Sequence, residues 1–117
     1  FHLIDSIGKK IKVCTEVSAA LGLQNVSCRH ARVEEEKGRF DFVVSRAVMP
    51  LSDLVRLTKK NILSEQKNAL PNGLICLKGG ELAHEIQPVK NKASLYNVSD
   101  WFEEEFFKTK KAVYVPL

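Results

Sequence analysis

The sequence has no paired set of cysteines. Cys14, Cys28 and Cys76 are odd in number and show no C-x-x-C spacing. That excludes a disulfide framework and a spacing-coded zinc site, so no metal is expected and a reducing, cytoplasmic setting fits best. No apolar run approaches the roughly 18 residues that a membrane-spanning helix needs, and no signal peptide precedes the first element. Internal repeats and low-complexity segments are absent as well. Neither sign of charge dominates: 18 basic and 14 acidic residues leave a formal net charge of +4. Such a mild excess permits a polyanionic partner without demanding one. Ser6, Ser45 and the cysteines have no base beside them in a motif, which leaves nucleophilic catalysis unsupported. His2, His30 and His84 lie far apart without ligand spacing and are expected to be structural or surface residues.

What is present is an ordinary globular balance. The chain has 117 residues, 44% hydrophobic and 27% charged, enough for one domain with a modest core. Residue 1 is Phe rather than Met, and Phe1-His2-Leu3-Ile4-Asp5 already has strand character. The expectation is a chain that continues a longer protein. Asp5-Ser6 then opens a helix whose apolar face is Ile7, Ile11, Cys14, Val17 and Leu21, closed by Gly22. Asn25 to Ala31 suggests a weaker strand, and Glu34 to Arg39 a charged connector.

Phe40-Asp41-Phe42-Val43-Val44 carries one charge and no helical spacing, so it is expected as a buried strand running into Ser45-Arg46-Ala47. Pro50 opens a second helix with the stripe Leu51, Leu54, Val55, Thr58 and Ile62, and Lys59 and Lys60 suit its carboxyl end. A polar loop follows from Ser64 to Asn72. Gly73 to Gly80 holds the next buried strand, and a helix near Glu81 to Val89 is ended or bent by Pro88. Leu95 to Phe107 and Ala112 to Leu117 suggest a closing β-hairpin. Alternating strands and helices predict an α/β fold, its sheet mostly parallel with an antiparallel edge.

Four predicted strands end in polar residues: Asp5-Ser6, Arg32-Val33-Glu34, Ser45-Arg46 and Lys78-Gly79-Gly80. In a parallel sheet these ends converge on one rim, where ligands bind in doubly wound folds. An acid there accepts hydrogen bonds from ribose hydroxyls; equally, Asp5 serves as a helix cap. For Arg46 and Lys78 the alternatives are a salt bridge to Asp5 or Glu34, or a phosphate or base edge. Glu34-Glu35-Glu36 and Glu103-Glu104-Glu105 suit solvated faces, with Glu34 the exception at a strand end. Lys108, Lys110 and Lys111 form a basic cluster that suits a nucleic-acid backbone or a wet loop.

The blocks Leu3-Ile4-Asp5-Ser6-Ile7-Gly8-Lys9-Lys10, Arg32-Val33-Glu34-Glu35, Phe40 to Ala47 and Leu77-Lys78-Gly79 resemble, in order and spacing, the glucose-inhibited division protein B family. Those enzymes methylate guanine N7 in small-subunit (16S) ribosomal RNA. The resemblance covers essentially the whole chain. It implies a Rossmann-like S-adenosylmethionine-dependent methyltransferase fold, with residues 1–117 its carboxyl-terminal portion beginning at the second strand. The first strand, its glycine-rich loop and the preceding helices have no counterpart here. By the same resemblance Asp5 and Ser6 lie near the cofactor ribose, and Val33 and Glu34 line the adenine pocket. Arg46 sits beside the cofactor and the catalytic pocket, and Arg32 and Lys78 match basic positions that hold the RNA substrate; Lys78 is expected to be catalytic as well, and Lys110 and Lys111 of the basic cluster are expected RNA contacts.

A chain lacking the first strand is expected to bind S-adenosylmethionine weakly, to be inactive by itself, and to self-associate through exposed strand edges. Two other classes remain open: a non-catalytic RNA-binding α/β domain, and a nicotinamide-dependent oxidoreductase. The second lacks any catalytic Tyr/Lys or Cys/His arrangement.

Overall fold

A computed structural model describes residues 1–46 and 49–117. Ala47 and Val48, part of the stretch after the third predicted strand, lie outside the described residues. The chain divides into two compact units, Phe1–Lys37 and Gly38–Leu117.

The first unit is a β-α-β element. Strand β1 (His2–Asp5) leads through helix α1 (Gly8–Ala20) to β2 (Ser27–His30), which pairs parallel with β1 from His2 opposite Ser27 to Asp5 opposite His30. Gly22 ends the helix with φ +67°, a conformation that costs glycine nothing. The apolar helical face exists in spacing only: α1 has no buried residue, and Val17 and Leu21 are exposed. The unit is tied instead by polar contacts. Glu36 is buried, and its carboxylate accepts from Arg29 at 3.2 Å and lies 3.3 Å from His2 Nε2. The expectation that Glu36 belongs to a solvated acidic face is therefore corrected. Only Glu34 and Glu35 of that triplet are exposed.

The second unit is a four-stranded sheet in the order β3-β4-β6-β5, built from β3 (Phe42–Arg46), β4 (Gly73–Gly79), β5 (Ser94–Asn97) and β6 (Lys110–Pro116). β3 runs parallel to β4, whereas β6 is antiparallel to both β4 and β5. The sheet is mixed, and antiparallel pairing reaches inward because β6 inserts between β4 and β5. Helix α2 (Leu51–Thr58) follows Pro50, and a short α3 (Ala83–Ile86) continues into a 3-10 turn containing Pro88. The predicted stripe holds within α2, where Leu51, Leu54 and Thr58 are buried and Val55 half-buried, whereas Ile62 is buried beyond the helix, in extended backbone bridged to Phe40. Leu51 and Leu54 pack with Leu74, Cys76, Leu82, Val113 and Val115 into the core. At Gly73 any Cβ would collide with the Val115 carbonyl, so the tight β4–β6 approach requires glycine.

Two expectations about β3 change. The strand extends through Arg46 rather than stopping before Ser45, and it is not buried, since Val44 is 67% exposed. Its one ladder among the described residues is to β4, so one side of the strand lies at the sheet margin. An apolar run reports strand character; it does not report how many neighbours the strand has.

Candidate functional site

In the first unit, parallel pairing puts the carboxyl ends of β1 and β2 side by side. Asp5 closes β1, and Ala31 N–H donates to its carbonyl at 3.1 Å. One carboxylate oxygen of Asp5 accepts from Ile7 N–H at 2.8 Å, and the other lies 4.0 Å from Lys10. The helix-entry role is thus real, and the second oxygen keeps acceptor capacity. Ser6 is exposed, and its carbonyl is 2.9 Å from His30 Nε2. Beyond β2, Arg32 is exposed and precedes a single 3-10 turn, Val33–Glu35, in which Val33 is half-buried and Glu34 exposed.

In the second unit, Arg46 and Lys78 come to neighbouring ends of β3 and β4, Arg46 opposite Leu77. Their environments differ sharply. The Lys78 ammonium is nearly buried, 2.6 Å from Glu85 Oε1, and also donates to the Met49 carbonyl. The same Glu85 oxygen accepts from Leu51 N–H at 2.9 Å. Lys78 and Glu85 therefore fasten the start of α2 to the end of β4. The partner of Lys78 is neither Asp5 nor Glu34, the acids considered from sequence. Lys78 also lines the cavity at this rim, with its ammonium engaged by Glu85 and the Met49 carbonyl. Glu85 was missed because it sits on a weakly periodic helix; its signal is an acid seven residues after Lys78, past a glycine turn.

Arg46 is exposed and has no carboxylate within ion-pair distance among the described residues. It lines a cavity of about 320 Å³ together with Leu77, Lys78, Gly79, Val98, Phe106, Phe107 and Lys110. Lys110 rests its ammonium 4.7 Å from the centre of the Phe106 ring rather than on an acid. Lys111 follows on β6 opposite Lys78, half-buried. Of the basic cluster, Lys108 is taken by Glu105 at 2.7 Å. The phenylalanines escaped notice in the sequence. The available signal was aromatic residues interleaved with lysines in Phe106-Phe107-Lys108-Thr109-Lys110.

Cys76 lies in the core below this rim. Burial pushes its thiol up to about 11, the Lys78 ammonium pulls it partly back, and Glu85 adds to the rise. Such a thiol stays protonated and inert at neutral pH.

The family model of rRNA small subunit methyltransferase G matches residues 1–113. The chain belongs to this family. Among relatives named "Ribosomal RNA small subunit methyltransferase G", that of Parabacteroides distasonis is 70% identical over 117 residues, all of this chain and 51% of the relative. The Bacteroides fragilis relative is 66% identical over 117 residues, all of this chain and 57% of its own. That of Cytophaga hutchinsonii is 51% identical over 116 residues, 99% of this chain and 56% of its own. The chain spans about half the length of the curated relatives it matches. The glucose-inhibited division protein B resemblance is thereby confirmed. The α/β units with their mixed sheet are parts of a Rossmann-like methyltransferase fold.

Proposed function

We propose that the whole protein transfers a methyl group from S-adenosylmethionine to N7 of a guanine in small-subunit ribosomal RNA, in the cytoplasm. Residues 1–117 act in it as the carboxyl-terminal portion of the methyltransferase domain. The observation that carries this reading is the Arg46 guanidinium, without a carboxylate partner among the described residues, at the carboxyl end of β3 on a cavity it shares with Lys110. The names of the relatives and their roughly twofold greater length support it. So does the halt in strand pairing after the β1–β2 ladder, which leaves room in the reading for a strand from outside this sequence.

The residues fit the cofactor. Asp5 has an oxygen to spare for a ribose hydroxyl, with Ser6 beside it. Val33 offers an apolar wall and Glu34 an acceptor for an adenine amino group. The cofactor, when bound, supplies an electrophilic sulfonium methyl group. Guanine N7 already exposes a lone pair, so the chain owes the reaction no general base. Its residues have to hold N7 in line with the methyl group and keep water out, which is catalysis by proximity. Arg46 and Lys110, and less directly Arg32 and Lys111, position the RNA through its phosphates and base edges. Lys78 holds the rim in shape through Glu85.

Nucleoside analysis of small-subunit RNA treated with the whole protein and isotopically labelled S-adenosylmethionine tests the reading. Label in N7-methylguanosine is expected; label only in another nucleoside, or none, would overturn it. The 117-residue chain alone is proposed to self-associate through the open margins of β1 and β3. Light scattering should report more than a monomer at micromolar concentration, and a strict monomer would count against this.

A further inference from the structure

The cavity at the end of β3 contains more than cations. Phe106 is 67% exposed, Phe107 packs edge-on against it at 5.2 Å, and Phe102 lies 5.1 Å from Phe107. Phe102 and Phe106 are both exposed and both pack on Phe107, so they form an exposed apolar group rather than a lone ring, and it borders Arg46 and Lys110. The ring contacts of Phe107 with Phe106 and Phe102 leave Phe106 exposed at the mouth rather than buried.

From this arrangement we propose that Phe106 is a stacking platform for an unpaired RNA base, with Lys110 and Arg46 taking the flanking phosphates. The proposal deepens the RNA-methyltransferase reading and rests on it. The chemistry is specific to a nucleotide: a flat apolar face for a base and unpaired cations for the phosphate, in a cavity of about 320 Å³, near the lower end of the range for small-ligand sites. Lys110 occupies the ring through an exposed cation–π contact, which is weak. An arriving phosphate draws the ammonium away and bares the aromatic face to the base, so the two contacts form together. The nearby acids do not cancel the site. Glu105 is neutralised by Lys108 at 2.7 Å, and neither residue lines the cavity. Aromatic faces tolerate any base, so the platform would hold the strand near the target and leave base choice to other contacts. A methylated base must be unstacked from its neighbours, and a protein ring that replaces the lost stacking favours that state.

The test is a fluorescence-anisotropy titration of the whole protein with an end-labelled eight-nucleotide single-stranded RNA of mixed sequence. A second RNA of equal length, abasic at its central positions, has the same phosphates without the bases. Wild-type protein is expected to bind the intact RNA about tenfold more tightly than the abasic one. Phe106→Ala should remove that difference and Phe106→Tyr should keep it, while Lys110→Ala weakens both RNAs and flattens the salt dependence. Because Phe106 is mostly exposed, far-ultraviolet circular dichroism should be unchanged in both variants. Equal binding of intact and abasic RNA by wild type, or a silent Phe106→Ala, would overturn the platform while leaving the RNA reading intact. Failure of the wild-type protein to bind either RNA would overturn the platform, while label in N7-methylguanosine decides the methyl-transfer reading separately.

Discussion

Residues 1–37 and residues 38–117 are built on different principles. The larger unit has an apolar core, with Leu51, Leu74, Val113 and Val115 at most 1% exposed. The smaller has a helix with no buried residue and two buried side chains in all among its described residues, Ala31 and Glu36. It is held by one parallel ladder of four residue pairs and by the Glu36 contacts to Arg29 and His2. Burial of apolar surface is the main stabilising term in a fold, and a short parallel ladder is a weak substitute. The ends of β3 and β4, with Arg46 and Lys78, therefore stand on a packed core, and the ends of β1 and β2, with Asp5 and Ser6, do not.

The largest expected effect separates the two units by core deletion. Leu74→Ala empties a fully buried position and should destabilise the second unit by about 2–5 kcal/mol. Val17→Ala on the exposed face of α1 should change stability by no more than about 0.5 kcal/mol. Urea titration of each variant checks the pair. Equal losses would show that the first unit is packed as tightly as the second.

A smaller effect uses the thiols. Cys14 and Cys28 are partly exposed, whereas Cys76 is buried with its thiol raised from 9.0 to about 11. A raised folded-state value means that the stabilisation is fully present below about pH 9, where both states are protonated. It is lost as the pH rises from about 9 to about 11, because the unfolded chain ionises first. The slope is at most about 1.4 kcal/mol per pH unit in that window. Cys76→Ala should flatten that part of the curve, and Cys14→Ala should leave it alone. At neutral pH a thiol reagent should label two cysteines quickly and Cys76 only on unfolding.

How much of this was legible in the chain depended on whether local spacing carries the information. Leu51, Leu54 and Thr58 recur with the helical period, so the buried face of α2 could be read directly. The Gly73 to Gly79 strand and the positive φ at Gly22 were equally legible, because an uninterrupted apolar run and a glycine after a helix are local signals. The same periodicity on α1 misled, since spacing marks a face and says nothing of what covers it. Val44 failed for a related reason: strand character is local, and the number of neighbouring strands is not. Glu36 and Lys78 show the same limit for charge. Their partners Arg29, His2 and Glu85 are fixed by the tertiary path, which no pattern in a run of acids or lysines encodes. Of the proposed site, Asp5 and Arg46 were visible as strand-end residues and Lys110 as part of a basic cluster. Phe106 was not, because its meaning comes from a cavity that four separate segments build.

The central claim is that Arg46 faces the substrate while its neighbour Lys78 serves the scaffold. Steady-state methyl transfer by the whole protein, with small-subunit RNA varied at saturating S-adenosylmethionine, tests it in one comparison of wild type with Arg46→Ala. The account predicts a fall of about 100-fold in kcat/KM with an unchanged melting temperature. Wild-type kcat/KM in Arg46→Ala, or a loss fully matched by unfolding, would contradict it.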